Sequence, residues 1–181
     1  MTTTLSAEDR RSLLETARRA IADELAGRPP ASPASDGVFA LRSGVFVSLH
    51  NHGGLRGCIG YPDGEQPLGV TVPRCAVAAA TGDPRFAAVT EAELPEVDIE
   101  ISVLTPVVRV TNPADIDVGR DGLIVEQHAH RGLLLPQVAA EWGWDRDAFL
   151  AQTCVKAGLP RDAWKRGASI FRFQAEVFGD K

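Results

Sequence analysis

The sequence SLHNHGGLRGCIG, at residues 48–60, is the segment from which both the fold and the site are predicted. Strand side chains alternate between two faces with a period of two. A three-residue loop, His52-Gly53-Gly54, is predicted to join two paired strands, with Gly54 in the left-handed conformation that such a loop needs. In that register one face of the hairpin is apolar and contains Val45, Val47, Leu49, Leu55 and Ile59.

The opposite face of this hairpin collects the residues that could carry chemistry. Ser48 is predicted to oppose Cys58, His50 to oppose Arg56, and Asn51 to oppose Leu55. A cation beside a thiol favours the reactive thiolate, and a neighbouring histidine can take the thiol proton. The sequence therefore predicts a catalytic group of Cys58, Arg56 and His50, with Ser48 in the same site.

Glycines on both sides of Cys58 leave two interpretations of this strand open. Without side chains, Gly57 and Gly60 would leave room for a ligand or for another backbone. The alternative is purely structural, since free cysteine is among the most buried residue types and small residues often occupy packing positions. In that case Arg56 would simply pair with an internal carboxylate.

Length and composition restrict the class of protein. The chain has 181 residues, of which 44% are hydrophobic and 24% charged, as in an ordinary globular domain. A formal net charge of −5 argues against nucleic acid as the main partner, so the arginines between residues 10 and 19 are expected to form a solvated face. No apolar run is long enough for a membrane span, and Met1–Leu5 does not read as a secretory signal. Three cysteines without a CxxC motif fit a reducing cytoplasm.

Apolar periodicity predicts a mixture of helices and strands. Residues 28–37 read as a polar, proline-rich connector after a first helix that Ser6 begins and Gly27 can end. A strand over 38–42 would make a three-stranded meander with the hairpin. The other predicted elements are helices over 67–81 (bent or shortened at Pro73), 137–142 and 145–158, strands over 97–104 and 169–177, and a hairpin of 123–127 with 131–135.

No cofactor is predicted. The four histidines form two HxH pairs, His50/His52 and His128/His130, and this spacing in a strand puts two rings on one face, as a metal site requires. Both pairs sit at predicted hairpin tips, however, where polar residues are expected without any metal. A metal at either pair is the alternative.

Several segments resemble the AMMECR domain family. The clearest is LRGCIG at 55–60, which is similar to the family signature; others are GVFVSLH at 44–50, DPRF at 83–86, ELPEVDIEISVLTP at 93–106 and RGLLLPQVAAEWGWD at 131–145. The resemblance implies a single α+β domain over residues 1–181, with a mixed or antiparallel sheet flanked by helices and a smaller lobe. It also implies that the signature strand lies near a cleft between the lobes.

The resemblance extends the predicted site beyond the signature. It carries over Leu55–Gly60 and, more loosely, Asp83, Arg85, Glu100 and Arg131 as residues of the cleft. Glu100 also follows from the alternating pattern of 97–104, as a candidate general base or ion-pair partner.

The resemblance implies functional partners as well, because the family includes protein A of the AmmeMemoRadiSam system. These partners would be a Memo-like protein and a radical SAM enzyme. The expected function is an enzyme or enzyme component that uses Cys58 and Arg56 on a small molecule or modified substrate. The alternatives are a non-catalytic adaptor of that system and, third, a nucleic-acid-associated protein.

Overall fold

The computed structural model describes residues 4–180 and divides the chain into two compact units. The first comprises the chain up to Leu104 together with the stretch from Glu176 onwards, and the second is Thr105–Ala175. The prediction that Met1–Leu5 is not a secretory signal falls partly on Met1–Thr3, which lie outside the described residues. In chain order the elements are α1 (Ala7–Leu25), β1 (Val45–Asn51), β2 (Gly54–Tyr61), α2 (Leu68–Thr81), β3 (Val97–Leu104), β4 (Val108–Arg109), β5 (Gly122–Gln127), β6 (His130–Leu134), α3 (Pro136–Trp142), α4 (Arg146–Lys156), β7 (Ser169–Phe173) and β8 (Ala175–Gly179).

The strands form two four-stranded sheets, which confirms the predicted α+β class. The sheet of the first unit has the order β2-β1-β3-β8, and β1 pairs antiparallel with both neighbours. The sheet of the second unit has the order β4-β7-β5-β6. No helix among residues 4–180 is long and apolar enough to cross a membrane.

One face of the first sheet is buried against α1 and α2. The alternating apolar residues of β1 and β3 point to this face, as the sequence predicted, and α1 begins at a capping box formed by Ser6 and Asp9. Helix α2 runs without interruption through Pro73. The fully buried centre of this core includes Leu13, Ile21, Val45, Val47, Leu49, Val72, Cys75 and Ile101.

The hairpin of β1 and β2 differs from its prediction at the turn. Its loop has two residues, His52 and Gly53, and both have positive φ angles, 51° and 80°. Such two-residue turns match the twist of the paired strands, whereas the predicted three-residue loop, with Gly54 left-handed, is wrong. Asn51 therefore pairs with Gly54 rather than with Leu55.

A β-bulge beside this turn changes the register once more. Leu49 pairs with Gly57 and His50 pairs with Leu55, so Arg56 is the extra residue of β2 and the predicted pairing of His50 with Arg56 is wrong. The predicted pairing of Ser48 with Cys58 is confirmed. Because the bulge reverses the parity of the strand, Leu55 leaves the apolar face and is 43% exposed.

Two further strand predictions are corrected. Residues 38–42 do not form a strand: Gly37–Ala40 is a short 3-10 helix, and Arg42 makes only an isolated bridge with Pro67. Residues 38–61 therefore do not form the predicted three-stranded meander. The predicted strand over 169–177 is two strands that belong to different sheets, β7 and β8. They separate at Gln174, whose backbone N–H donates to Thr105 Oγ1 and whose carbonyl accepts from the Thr105 N–H.

The second unit confirms the second predicted hairpin, which is β5 and β6 around the turn at His128 and Ala129. Helices α3 and α4 lie close to the predicted ranges, and Asp145 caps α4 by accepting from the Ala148 N–H. The core of this unit includes Leu123, Val125, Phe149, Leu150 and Cys154.

Candidate functional site

Cys58 lies on the face of the first sheet opposite the helices. Its Sγ accepts a hydrogen bond from Ser48 Oγ at 3.2 Å, and its side chain is partly exposed. The other two cysteines, Cys75 and Cys154, are fully buried. Burial raises the pKa of Cys75 to about 12 and also raises the pKa of Cys154. Cys58 is therefore the one cysteine of the three whose sulfur a reagent in solution can reach.

Asp83 anchors the backbone of Cys58. β2 is the edge strand of its sheet, and the Cys58 N–H donates to Asp83 Oδ2 at 2.9 Å. The Asp83 carboxylate, only 2% exposed, also accepts from Arg85 Nη2 at 2.8 Å and from Arg85 Nε at 3.0 Å. These bonds from Arg85, followed by the bond from the Cys58 N–H, hold the pKa of Asp83 well below its usual range.

Arg85, not Arg56, is the arginine linked to Cys58, through the Asp83 carboxylate that accepts from both residues. Its side chain is 56% exposed, and Asp83 raises its pKa most, with a smaller contribution from the charge of Cys58. The Arg85 N–H donates to Asp83 Oδ1 at 3.0 Å, so the Asp-Pro-Arg spacing folds the cation back on the carboxylate. Asp83 and Arg85 were predicted as site residues only through the family resemblance. The short Asp-x-Arg spacing is the local signal that could have predicted their pairing.

Arg56 has a structural role that contradicts its predicted place beside Cys58. Its Nε and Nη2 donate to the two carboxylate oxygens of Glu93, at 2.7 and 3.1 Å, and its Nη1 donates to the carbonyl of Ala87 at 2.7 Å. This bidentate pair lowers the pKa of Glu93. The bulge turns Arg56 toward the loop after α2. The alternative prediction from the sequence, that Arg56 pairs with an internal carboxylate, is therefore confirmed. Glu93, 37 residues away, was not predicted from the sequence.

Glu100 and His50 lie on the same sheet face as Ser48. Glu100 pairs with Ser48 across β1 and β3, and His50 pairs with Asp98 two residues further along. The Nε2 atom of His50 is buried without a hydrogen-bond partner among residues 4–180. The half-buried carboxylate of Glu100 likewise has no hydrogen-bond or ion-pair partner in the described part of the chain.

The two glycines beside Cys58 make room for the protein itself, which corrects their assignment to a ligand site. A Cβ atom on Gly57 would lie 2.1 Å from the carbonyl oxygen of Ala79, so this glycine lets α2 approach the sheet. A Cβ atom on Gly60 would lie 2.3 Å from the ring of Phe46. Both positions are packing positions.

The other predicted residues have different surroundings within their own units. Arg131 belongs to the second unit, where it pairs with Glu126 at 3.7 Å. His52 and His128 occupy turns with positive φ, so neither HxH pair lies on one strand face. Across residues 4–180, no cluster of three or more histidine, cysteine or carboxylate side chains could hold a metal ion.

The arginines of α1 are largely neutralised within the first unit. Arg10 pairs with Glu176, and Arg18 pairs with Asp180 and donates to the carbonyl of Val97. Ion pairs of this kind remove charge from a surface that nucleic acid would need to be basic.

Known proteins resemble the chain over almost its whole length. The AMMECR1 family model matches residues 14–178. A protein of Methanothermobacter thermautotrophicus is 50% identical, covering 96% of this chain and 95% of its own, and protein MJ0810 of Methanocaldococcus jannaschii is 42% identical over 96% and 91%. The crystal structure of the uncharacterized protein PH0010 from Pyrococcus horikoshii superimposes with a TM-score of 0.89 at 40% identity, covering 98% of this chain and 94% of that one.

Proposed function

The chain belongs to the AMMECR1 family, and we propose that it is an enzyme or enzyme component in which Cys58 acts as the nucleophile on a small molecule. In this proposal Ser48 and Arg85 stabilise the thiolate, and Asp83 positions both the strand and the cation. Arg56 has no part in the chemistry because Glu93 and the loop carbonyls occupy its guanidinium. The proposal extends to a reducing compartment such as the cytoplasm and, through the family resemblance, to a Memo-like protein and a radical SAM enzyme as partners.

The observation that carries the proposal is the environment of the Cys58 sulfur. A hydroxyl donor lies 3.2 Å away, and the Asp83–Arg85 pair is bonded to the backbone of the same residue. A cysteine that served only packing would have no need of a hydrogen-bond donor or a neighbouring ion pair, since buried cysteine behaves as a small hydrophobe. Cys75 and Cys154 are this packing type.

The proposed step is addition of the thiolate to an electrophilic carbonyl carbon. The thiol proton first leaves to solvent, and the sulfur then donates its electron pair to the carbon. As the S–C bond forms, the π-electron pair of the carbonyl moves to its oxygen. The hydrogen bond from Ser48 keeps the sulfur oriented, and the Arg85 charge favours the thiolate before attack.

The test is the rate of alkylation by iodoacetamide, measured by mass spectrometry between pH 5 and 9. We expect modification of Cys58 alone, and we expect Arg85→Ala to slow it about threefold to tenfold at pH 7, since the loss of a nearby positive charge reduces the thiolate fraction. Arg56→Ala is the matched control, because it removes an arginine of the same strand that does not face the sulfur.

Two results would contradict the proposal that Cys58 is a nucleophile. One is a Cys58 that reacts no faster at pH 7 than a thiol in a short unstructured peptide. The other is an equal slowing by Arg85→Ala and Arg56→Ala, which would point to loosened structure instead of charge. Either result would favour the non-catalytic adaptor role, in which Cys58→Ser leaves the activity of the reconstituted partner system intact.

A further inference from the structure

A row of side chains crosses the first sheet at right angles to its strands. Cys58 on β2 pairs with Ser48 on β1, and Ser48 pairs with Glu100 on β3. Directly opposite residues of a sheet project from the same face, so thiol, hydroxyl and carboxylate stand side by side. Because neighbouring strands are about 4.8 Å apart, the backbones of Cys58 and Glu100 are about 10 Å apart.

The two ends of the row offer different groups to a ligand, a guanidinium donor at one end and a carboxylate acceptor at the other. Beyond the edge of β2, Arg85 uses Nε and Nη2 on Asp83, and its Nη1 makes no hydrogen bond within residues 4–180. At the other end, the half-buried Glu100 carboxylate has no partner in the same described range. A carboxylate is stabilised when it pairs with a cation, and the described residues supply none to this one.

We infer that this row binds a small zwitterion of dipeptide length, with its carboxylate on Arg85, its ammonium group on Glu100 and its central carbonyl over Cys58. An extended dipeptide spans about 7 Å. A hydrogen bond of about 3 Å at each end gives a reach of about 13 Å, which is longer than the roughly 10 Å between the backbones of Glu100 and Cys58. The inference rests on the proposed function, since it specifies the substrate class of the same thiol.

The composition of the row distinguishes this ligand from a purely anionic one. A dianion would place one negative group beside Glu100, and like charges repel at such distances. A dication would leave Nη1 of Arg85 without an acceptor. Only a molecule that carries both charges, with a polar centre between them, satisfies both ends of the row.

The experiment is an NMR titration of the intact chain with four probes that share the glycylglycine core and differ in which terminal charges they carry. These are glycylglycine, N-acetylglycylglycine, glycylglycinamide and N-acetylglycylglycinamide. We expect glycylglycine to bind with a Kd of about 1 mM and each capped analogue to bind at least about tenfold more weakly. Glu100→Gln should weaken glycylglycine about tenfold and leave N-acetylglycylglycine unchanged, because that analogue lacks the ammonium group.

The matched control is Glu91→Gln, which removes an exposed carboxylate outside the row and should change none of the four affinities. Equal affinities for glycylglycine and its capped forms, or a Glu100→Gln variant that binds glycylglycine normally, would overturn the assignment. Fast alkylation of Cys58 without dipeptide binding would remove this inference alone. If glycylglycine bound to a chain whose Cys58 is unreactive, the proposed nucleophilic role would be rejected and the inferred ligand class would be retained.

Discussion

At the residue scale, Asp83 links the backbone of the signature strand to the cation of the site. One buried carboxylate accepts from the Cys58 N–H and from three N–H groups of Arg85, namely the backbone and two guanidinium donors. The same carboxylate also satisfies a donor that an edge strand would otherwise leave unpaired. Its charge therefore supports both stability and the geometry around the sulfur.

Asp83→Asn should reduce the free energy of unfolding by about 1–2 kcal/mol at pH 7, since Arg85 is largely exposed and water screens much of the pair. The pKa of Asp83 is lowered in the folded state. A carboxylate of this kind contributes its stability above the pKa of the unfolded chain, about 3.9, and loses it as the pH falls toward the folded value. The wild-type advantage should thus be complete at pH 7 and shrink below about pH 4, as measured by urea unfolding.

Asp36→Asn is the control for this pH dependence, because Asp36 is exposed and its side chain makes no capping hydrogen bond. Its unfolding free energy should follow the wild type at every pH. If the difference between Asp83→Asn and the wild type were as large at pH 3 as at pH 7, the ionised state of Asp83 would not be the source of the stability.

The role of Arg85 also illustrates which parts of the site the sequence could predict. The pairing of Ser48 with Cys58 followed from strand alternation, which is a local rule. The identity of the arginine in the site did not follow from a local rule, because Arg56 pairs with Glu93, which is 37 residues away. A contact at that distance along the chain depends on the path of α2 and its following loop, and no local pattern specifies that path.

At the element scale, the β1–β2 hairpin was predicted as a hairpin but with the wrong turn and register. A non-glycine residue with positive φ is uncommon, so the sequence favoured a glycine in the left-handed position over His52. The bulge at Arg56 then compensates for the shorter loop and restores the pairing of Ser48 with Cys58. The prediction missed both the shorter turn and the bulge, and these two errors cancel at Cys58. They do not cancel between the turn and the bulge, so the predicted partners of Leu55 and His50 are wrong.

Helix α2 packs on this hairpin through Gly57. The Cβ of Gly57→Ala would lie 2.1 Å from the Ala79 carbonyl oxygen, which is backbone and cannot move without displacing the helix. We expect a loss of about 1–3 kcal/mol in the free energy of unfolding, as for other overpacked cores, measured by urea denaturation.

Gly54→Ala is the matched control in the same strand. Its Cβ would lie 3.5 Å from the nearest atom, the carbonyl oxygen of Asn51, which is an ordinary contact, and its φ is not positive. That variant should change stability by no more than about 0.5 kcal/mol. Equal stabilities of Gly57→Ala and Gly54→Ala would mean that the close approach of α2 is not required.

At the scale of the whole molecule, the first unit is closed by residues from opposite ends of the chain. β8 returns after the second unit to pair beside β3. Glu176 in β8 pairs with Arg10 of α1, and Asp180, directly after β8, pairs with Arg18. The predicted continuous strand over 169–177 concealed this return, because apolar alternation continues through the residue at which the chain changes sheets. Periodicity identifies strands but does not say which sheet a strand joins.

This closure makes Phe178 the residue through which the end of the chain stabilises the first core. Phe178 is 8% exposed and packs in that core, and the Arg10 guanidinium lies 5.9 Å from the centre of its ring. Phe178→Ala should therefore cost about 3–5 kcal/mol in the free energy of unfolding. Hydrogen exchange should accelerate in β3, whose outer edge β8 covers, and in α1.

Val177→Ala removes an apolar side chain from the adjacent position, which is 45% exposed, and should cost no more than about 0.5 kcal/mol. The comparison separates loss of core packing from a general weakening of β8, since both variants alter the same strand. If both variants unfolded at the same urea concentration, β8 would be held by its backbone hydrogen bonds and ion pairs alone. If exchange in β3 stayed slow in Phe178→Ala, the edge of that strand would be protected without the packing of β8.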